Sequence, residues 1–326
     1  MTFMRIASFN LENLGDAGTD SAPEEIRLKV LRPQLERLDA DIVCLQEVNG
    51  DKVRGQANRE FLLLERLLEG TPYAGFNRVH SIDPLAGKPS DHHNLMVLSR
   101  WPVGLARQVW HDYVPAPIHT PSLARAAERL PAPVTWDRPL QHCVIGVDDK
   151  RLHVINLHLR APRAAFVAGG KIGRVAWTTV ADWAEGFYVA MLKRDGQALE
   201  ARLVIEEIFD AEPDALVMVC GDFNAEMREG PLRILMAQSD DTHNGELAGR
   251  SLVSLERAVA PAQRYSLIHH GERVMIDHML VSRPLLARFR HFEIHNEQLG
   301  DDLFAHAAVR RDPDSYHAPV VAQFDL

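Results

Sequence analysis

Cysteine is scarce in this chain: Cys44, Cys143 and Cys220 are the only three in 326 residues. Each sits inside an apolar run that reads as a strand, and the number is odd. That suits buried free thiols in a reducing compartment better than a disulfide frame. Long apolar runs are missing too, so no membrane-spanning segment is expected. The opening residues, "MTFMRIASFN", lack the cationic-then-apolar order of an export signal, which makes cytoplasm the expected compartment. There is no long basic run, and the net charge is -9. A chain of that sign repels phosphate-rich polymers as a whole, so any grip on nucleic acid needs a local basic patch. Zinc-ligand spacing is absent as well. The pairs His92-His93 and His269-His270 have no companion Cys or His at the right interval.

What is present is globular: 46% hydrophobic and 25% charged residues, without a repeat of fixed period. "MRIASFNL" and "DIVCLQEV" read as strands, separated by a helical stretch over "PEEIRLKVLRPQLERL" that Pro33 should kink or split. "REFLLLERLLEG" reads as a helix closed by Gly70, and "HCVIGV" with "LHVINLHL" as a hairpin. Two helices are expected near 174–193 and 197–209, before the strand in "LVMVCGDFNAE". Hairpins mixed with helical crossovers predict α+β layers with helices outside packed sheets. One domain over 1–326 is expected, with loop or helical insertions near 112–139, rich in Pro and Ala, and 161–195.

Polar residues recur at the ends of these apolar runs. Asn10 and Glu12 follow "RIASF"; Glu47 ends "DIVCLQE"; His158 ends "LHVINLH"; Asp222 and Asn224 follow "LVMVC". Asp277 interrupts "RVMIDHMLV", and His317 precedes the last strand. An ionised carboxylate buried without a partner costs several kcal/mol, on the order of the value left after relaxation. Several at one sheet edge would also repel one another. A divalent cation answers both problems, and an oxygen-rich, sulfur-poor donor set suits Mg2+ or Mn2+. Singly, each of these residues reads equally as a turn former or helix cap. Six such segments in one chain form a pattern.

Taken together, "SFNLEN", "CLQEV", "VINLHL", "GDFNAE", "MIDHMLVS" and "SYHAP" resemble the endonuclease/exonuclease/phosphatase superfamily, the DNase-I-like enzymes. The resemblance implies a four-layer α/β/β/α sandwich of two mainly antiparallel sheets, and metal-dependent hydrolysis of phosphate esters. It implies Glu47 as principal metal ligand, with Asn10 beside it and Glu12 near the metal. Asp222 would orient or deprotonate the attacking water, and Asn224 would hold that water and a phosphate oxygen. His158 would donate to phosphate, and His317, oriented by Asp277, would stabilise charge in the transition state. The sequence departs from the pattern at Tyr316, where the family usually has Asp. A phenol with a pKa of about 10 is a poor ligand for Mg2+. The departure points to a working single-metal enzyme, with an inactive binder as the contrasting reading.

Arg100 and Arg160 follow strands and are candidates for phosphate contact, with surface salt bridging as the plain reading. Lys171 reads as part of a solvated loop. Trp177, Trp183, Phe187 and Tyr188 read as core packing on a helix, with stacking on a base or a lipid face as the alternative. The expected activity is that of a phosphodiesterase or nuclease. The alternatives are a phosphomonoesterase on a small organic phosphate and a catalytically silent phosphate- or nucleic-acid-binding relative.

Overall fold

The computed structural model describes residues 3–15, 23–122, 129–173, 176–302 and 313–326; parts of the two expected insertions, 123–128 and 174–175, lie outside them. The apolar runs form two six-stranded sheets. In chain order their strands are β1 (Phe3–Leu14), β2 (Ile42–Val48), β3 (Asn77–His80), β4 (Asn94–Ser99), β5 (Val103–Val109) and β6 (Leu140–Val147). Then come β7 (Lys150–His158), β8 (Leu216–Asp222), β9 (Val253–Ser254), β10 (Asp277–Val281), β11 (Phe289–Ile294) and β12 (Val320–Asp325). One sheet is ordered β11-β12-β1-β2-β4-β3, the other β9-β10-β8-β7-β6-β5. Each has a single parallel pair at its centre, β1 with β2 and β7 with β8; the other pairs are antiparallel.

The inner faces meet in a core that includes Ile6, Cys44 and Val97 from the first sheet and Cys143, Val154 and Cys220 from the second. All three cysteines are buried and free, as their apolar settings predict. Helices α1 (Glu24–Arg37) and α2 (Leu62–Leu68) cover the outside of the first sheet through Leu31, Leu35, Leu64 and Leu67. Helices α3 (Val180–Ala211) and α4 (Gly230–Met236) cover the second through Ala201, Ile205, Leu232 and Leu235. The result is the four-layer sandwich that the resemblance implied.

Two helices differ from expectation. Pro33 does not split α1, which is a single helix of 14 residues. The missing proline N–H forgoes one backbone bond, and burial of Leu31 and Leu35 on either side holds the helix together. The two helices expected near 174–193 and 197–209 are one helix of 32 residues, in which Gly196 falls at the expected break. A Cβ at Gly196 would stand 2.3 Å from the Trp136 ring, so the glycine admits a neighbour and ends nothing.

The two parallel pairs decide where function lies. Strands β1, β2, β7 and β8 all finish at one edge of the sandwich. Antiparallel β10 begins at that edge, with Asp277 opposite Asp222, and β12 begins there just after His317.

Candidate active site

Strand ends and the residues beside them bring Glu47, His158, Asp222 and His317 to a cleft of about 630 Å³, which Glu12, Asn224 and Tyr316 also line; Asn10 and Asp277 are buried behind it, bonded to Asp222 and His317. The backbone is strained there. Glu12, Asn13, Glu47, His93 and Asn224 all have positive φ, between 46° and 58°, and all line the cleft. Such conformations persist only where surrounding structure enforces them, and they cluster at functional sites. Gly221, in "CGDFN", has φ 140°, and a Cβ on it would lie 1.9 Å from the Leu157 carbonyl oxygen. Only glycine lets β8 approach β7 there and aim Asp222 inward.

Asp222 is buried at the centre. Its Oδ2 accepts from Asn10 Nδ2 at 3.0 Å and from Asn224 Nδ2 at 3.1 Å, and its Oδ1 accepts from the Asn224 amide at 2.8 Å. Burial, with Asp277 and Glu47 nearby, pushes its carboxyl up to about 7 although His317 and the Asn224 amide oppose the shift. His317 Nδ1 lies 2.9 Å from Asp277 Oδ2. Burial works against its charge, but Asp277, Asp222 and Glu47 prevail and raise it to about 10. His317 is thus an imidazolium facing the carboxylates. Glu12 is raised by burial, and its Oε2 accepts from the Tyr316 amide at 3.0 Å. Glu47 is buried too, yet His93, His317 and Arg138 hold its carboxylate below the ordinary value.

His158 is the opposite of His317. Its Nδ1 meets the Arg138 guanidinium, a donor only, so this nitrogen accepts and the ring proton sits on Nε2. That Nε2 faces Asp222 Oδ2 at 3.4 Å and Glu47 Oε1 at 3.7 Å. Burial and then Arg138 press the His158 pKa well below its usual value. One imidazole is held charged and the other neutral, and each has a ring nitrogen within 4.8 Å of an Asp222 oxygen.

The donor set fits a hard divalent cation. Carboxylate oxygens of Glu47 and Asp222 lie within 4.8 Å of one another, as do those of Asp222 and Asp277, with His158 and His317 beside them as hydrogen donors rather than ligands. Asp277 Oδ1 is buried with no hydrogen-bond partner. Carboxylate and carboxamide oxygens dominate, as Mg2+ or Mn2+ prefers. Asn10 turns its Nδ2 toward Glu47 Oε1, at 3.2 Å, and its Oδ1 toward the Glu12 amide, at 2.9 Å.

Several cleft residues were not among the expected ones, Arg163, Glu229 and His269 among them, and two stand against the central groups. Arg138 lies in the Pro- and Ala-rich stretch, where no periodicity marks it. His93, set aside with its neighbour as a zinc pair, has Nε2 2.9 Å from Asn13 Oδ1 and 3.6 Å from Glu47 Oε2. Arg160 does line the cleft, where it donates to Asp137 Oδ2 at 3.0 Å. Arg100 does not: it pairs with Asp41 at 2.8 Å, at the start of β2 and therefore at the opposite edge.

The sequence matches the Endonuclease/Exonuclease/phosphatase family over residues 7–298, and the chain belongs to that family. No curated protein matches it significantly. Among solved structures it resembles an endonuclease/exonuclease/phosphatase family protein from Bacteroides thetaiotaomicron, at 17% identity and a TM-score of 0.58, covering 100% of this chain and 96% of that one. It resembles truncated TDP2 from Caenorhabditis elegans at 15% identity and 0.57, covering 99% and 98%. The 3' phosphatase NExo from Neisseria, solved with product DNA hairpin, gives 16% and 0.53, covering 99% and 100%. At these identities the likeness concerns the fold.

Proposed function

We propose that the chain is a divalent-cation-dependent phosphoesterase that hydrolyses a small phosphodiester or a short single strand by attack of water on phosphorus. The observation that carries this reading is the placement of Asp222: a buried carboxylate pushed up to about 7, between two carboxamides and two imidazoles of opposite protonation. A general base works best with a pKa near the operating pH, and burial moves Asp222 in that direction. Asn224 orients the water and the phosphate, while His158 donates its Nε2 hydrogen to a phosphate oxygen. His317, aligned by Asp277, offers a charged donor to the oxygens that gain charge in the transition state. Glu47, Asn10 and Glu12 would hold the cation, which when bound neutralises the phosphate and supports the leaving oxygen.

Tyr316, at the position where the family usually has Asp, gives its backbone amide to Glu12, and the carboxylates that remain suit one metal rather than two. The cleft walls favour a small substrate. Arg138, Arg160 and Arg163 are interleaved with Glu226, Glu229 and Asp302, so no broad basic groove is present among the described residues. A cavity of about 630 Å³ lies in the range of small-ligand sites, roughly 300–1,000 Å³. The test is hydrolysis of a chromogenic phosphodiester and the matching monoester with Mg2+, Mn2+ or EDTA. Cation-dependent cleavage that prefers the diester is expected. Cleavage of neither ester with any metal overturns the proposal, and preference for the monoester replaces it with a phosphomonoesterase.

A further inference from the structure

The first three turns of α3 expose a face that the cleft does not use. Val180, Trp183, Ala184, Phe187, Tyr188 and Met191 recur at steps of three and four, so they form one stripe roughly 140° wide. None is charged. Val180 is 81% exposed, Tyr188 55% and Trp183 45%, and the rings of Trp183 and Phe187 lie 5.6 Å apart. The core-packing expectation for Trp183 and Tyr188 is thereby corrected: the sandwich is already covered by the opposite side of the helix.

Both flanks extend the stripe. On one side the Ala165 amide donates to the Gly186 carbonyl at 2.8 Å, in a segment that exposes Phe166 and Ile172. On the other side His119, next in the chain to the exposed Ile118, lies 3.1 Å from Glu185, and its ring faces Tyr188. Isolated surface apolar residues are ordinary, but a stripe of neighbouring ones on one helix face marks an interaction surface.

Charge and shape narrow the occupant. Within 160–193 the described basic residues are Arg160, Arg163, Lys171 and Lys193, in a chain of net charge -9. The described acids there are Asp182, buried and bonded to the capping Thr179, and Glu185, held by His119; Asp137 pairs with both Arg160 and Lys193, so Arg163 and Lys171 carry most of the positive charge of the face. Lys171 stretches over the Trp177 ring at 4.7 Å, an apolar stem with a charged head. Two copies apposed here would bring like charge to like. Val180, Phe166, Leu130, Ile118 and Ile172 are each exposed by 65% or more and come from several segments. A protein partner would need a separate recess for each of these tips. The headgroup and acyl boundary of a bilayer needs none, and it accepts Trp and Tyr together with basic residues.

We propose that this face docks on an anionic phospholipid bilayer, with the cleft mouth beside the lipid surface. The segment that exposes Phe166 and Ile172 leaves directly from Arg160 and Arg163 of the cleft wall. Docking is peripheral: among the described residues no helix is long and apolar enough to cross a membrane. It is also independent of which ester the cleft hydrolyses.

The test is co-sedimentation of the full chain with vesicles of phosphatidylcholine alone or mixed with phosphatidylserine, alongside tryptophan fluorescence. Wild type is expected to pellet with the mixed vesicles and to shift its emission to the blue. Trp183→Glu combined with Phe187→Glu should weaken that binding by roughly tenfold or more, with circular dichroism and melting unchanged. Lys171→Glu should weaken it about fivefold on the mixed vesicles only. Wild type remaining in the supernatant overturns the proposal whatever the variants do, and so does a folded double variant that pellets like wild type. Sedimentation velocity without lipid supplies the remaining arm. Dimers that the double variant dissociates would assign the face to a second copy and overturn lipid docking.

Discussion

Where β1 and β2 begin, Asp41 accepts from the Arg5 amide at 2.8 Å and from Arg100 at 2.8 Å, and Arg5 reaches Glu293 at 3.1 Å. Where the same strands finish, Glu12, Glu47 and Asp222 share their surroundings with His317 and Arg138, and no carboxylate has a cation to itself. At the first edge each charge is matched, and Arg100 stands well exposed to water. At the second, burial holds Asp222 and Glu12 above their ordinary values, and His317 is held above its own. An edge arranged for stability neutralises its charges by pairing. The other edge leaves a balance that a cation and an anionic substrate would complete.

The largest expected effect comes from breaking the unmatched edge. Asp222→Asn and His317→Ala should each lower kcat by about 10²–10³, the loss typical of one preorganised group at a reacting centre. Stability should move the other way for Asp222→Asn. The folded carboxyl titrates at about 7, above the ordinary value of about 3.9. The folded chain therefore binds that proton more tightly, so its contribution is full at low pH and is lost as pH rises through 7. With EDTA present at about pH 8, Asp222→Asn should melt above wild type. A lower Tm there, or near-normal turnover with metal, would remove Asp222 from the role assigned to it.

A smaller effect should follow from Arg138→Leu, which frees His158 Nδ1. The ring then gains access to the other tautomer and to its charged form, and Nε2 is no longer a fixed donor. Outer partners of this kind typically change activity by about 10–100-fold. The diagnostic is the imidazole nitrogen shifts of His158 by NMR: one neutral Nε2–H form in wild type, a mixture in the variant. An unchanged tautomer would show that the strand alone orients the ring.

Much of the site was legible because strand ends are local features. An apolar run followed by Asn10, Glu47, His158 or Asp222 needs no tertiary knowledge to notice. What failed was strand direction. Strand β4 runs antiparallel to β2, with Ser99 opposite Ile42 and Asn94 opposite Val48. Its start therefore lies at the cleft and its finish at the far edge. That one fact brings His93 in and sends Arg100 away, although Arg100 is the residue that follows a strand. Arg160 follows β7, which ends at the cleft, and it arrives as expected. Arg138 had no local signal, since its place depends on how a Pro-rich connection folds over the sheet. The break expected between 193 and 197 fails for a related reason: the Gly196 that falls in it answers to the Trp136 ring, distant in sequence.

The smallest expected effect sharpens the comparison from the matched edge. Arg100→Ala removes a guanidinium whose side chain is 59% exposed, leaving Asp41 with the Arg5 amide it already holds. An ion pair this accessible to water contributes about 0–1 kcal/mol. A shift in Tm within that range and unchanged kcat/KM on any ester are expected. A residue that contacted phosphate would instead raise KM, most visibly at low ionic strength, because the lost attraction is then least screened. Chromogenic ester kinetics at two salt concentrations separate the outcomes. A salt-dependent rise in KM would mean that substrate extends across the sandwich to the far edge, and the small-ester reading of the cleft would fail with it.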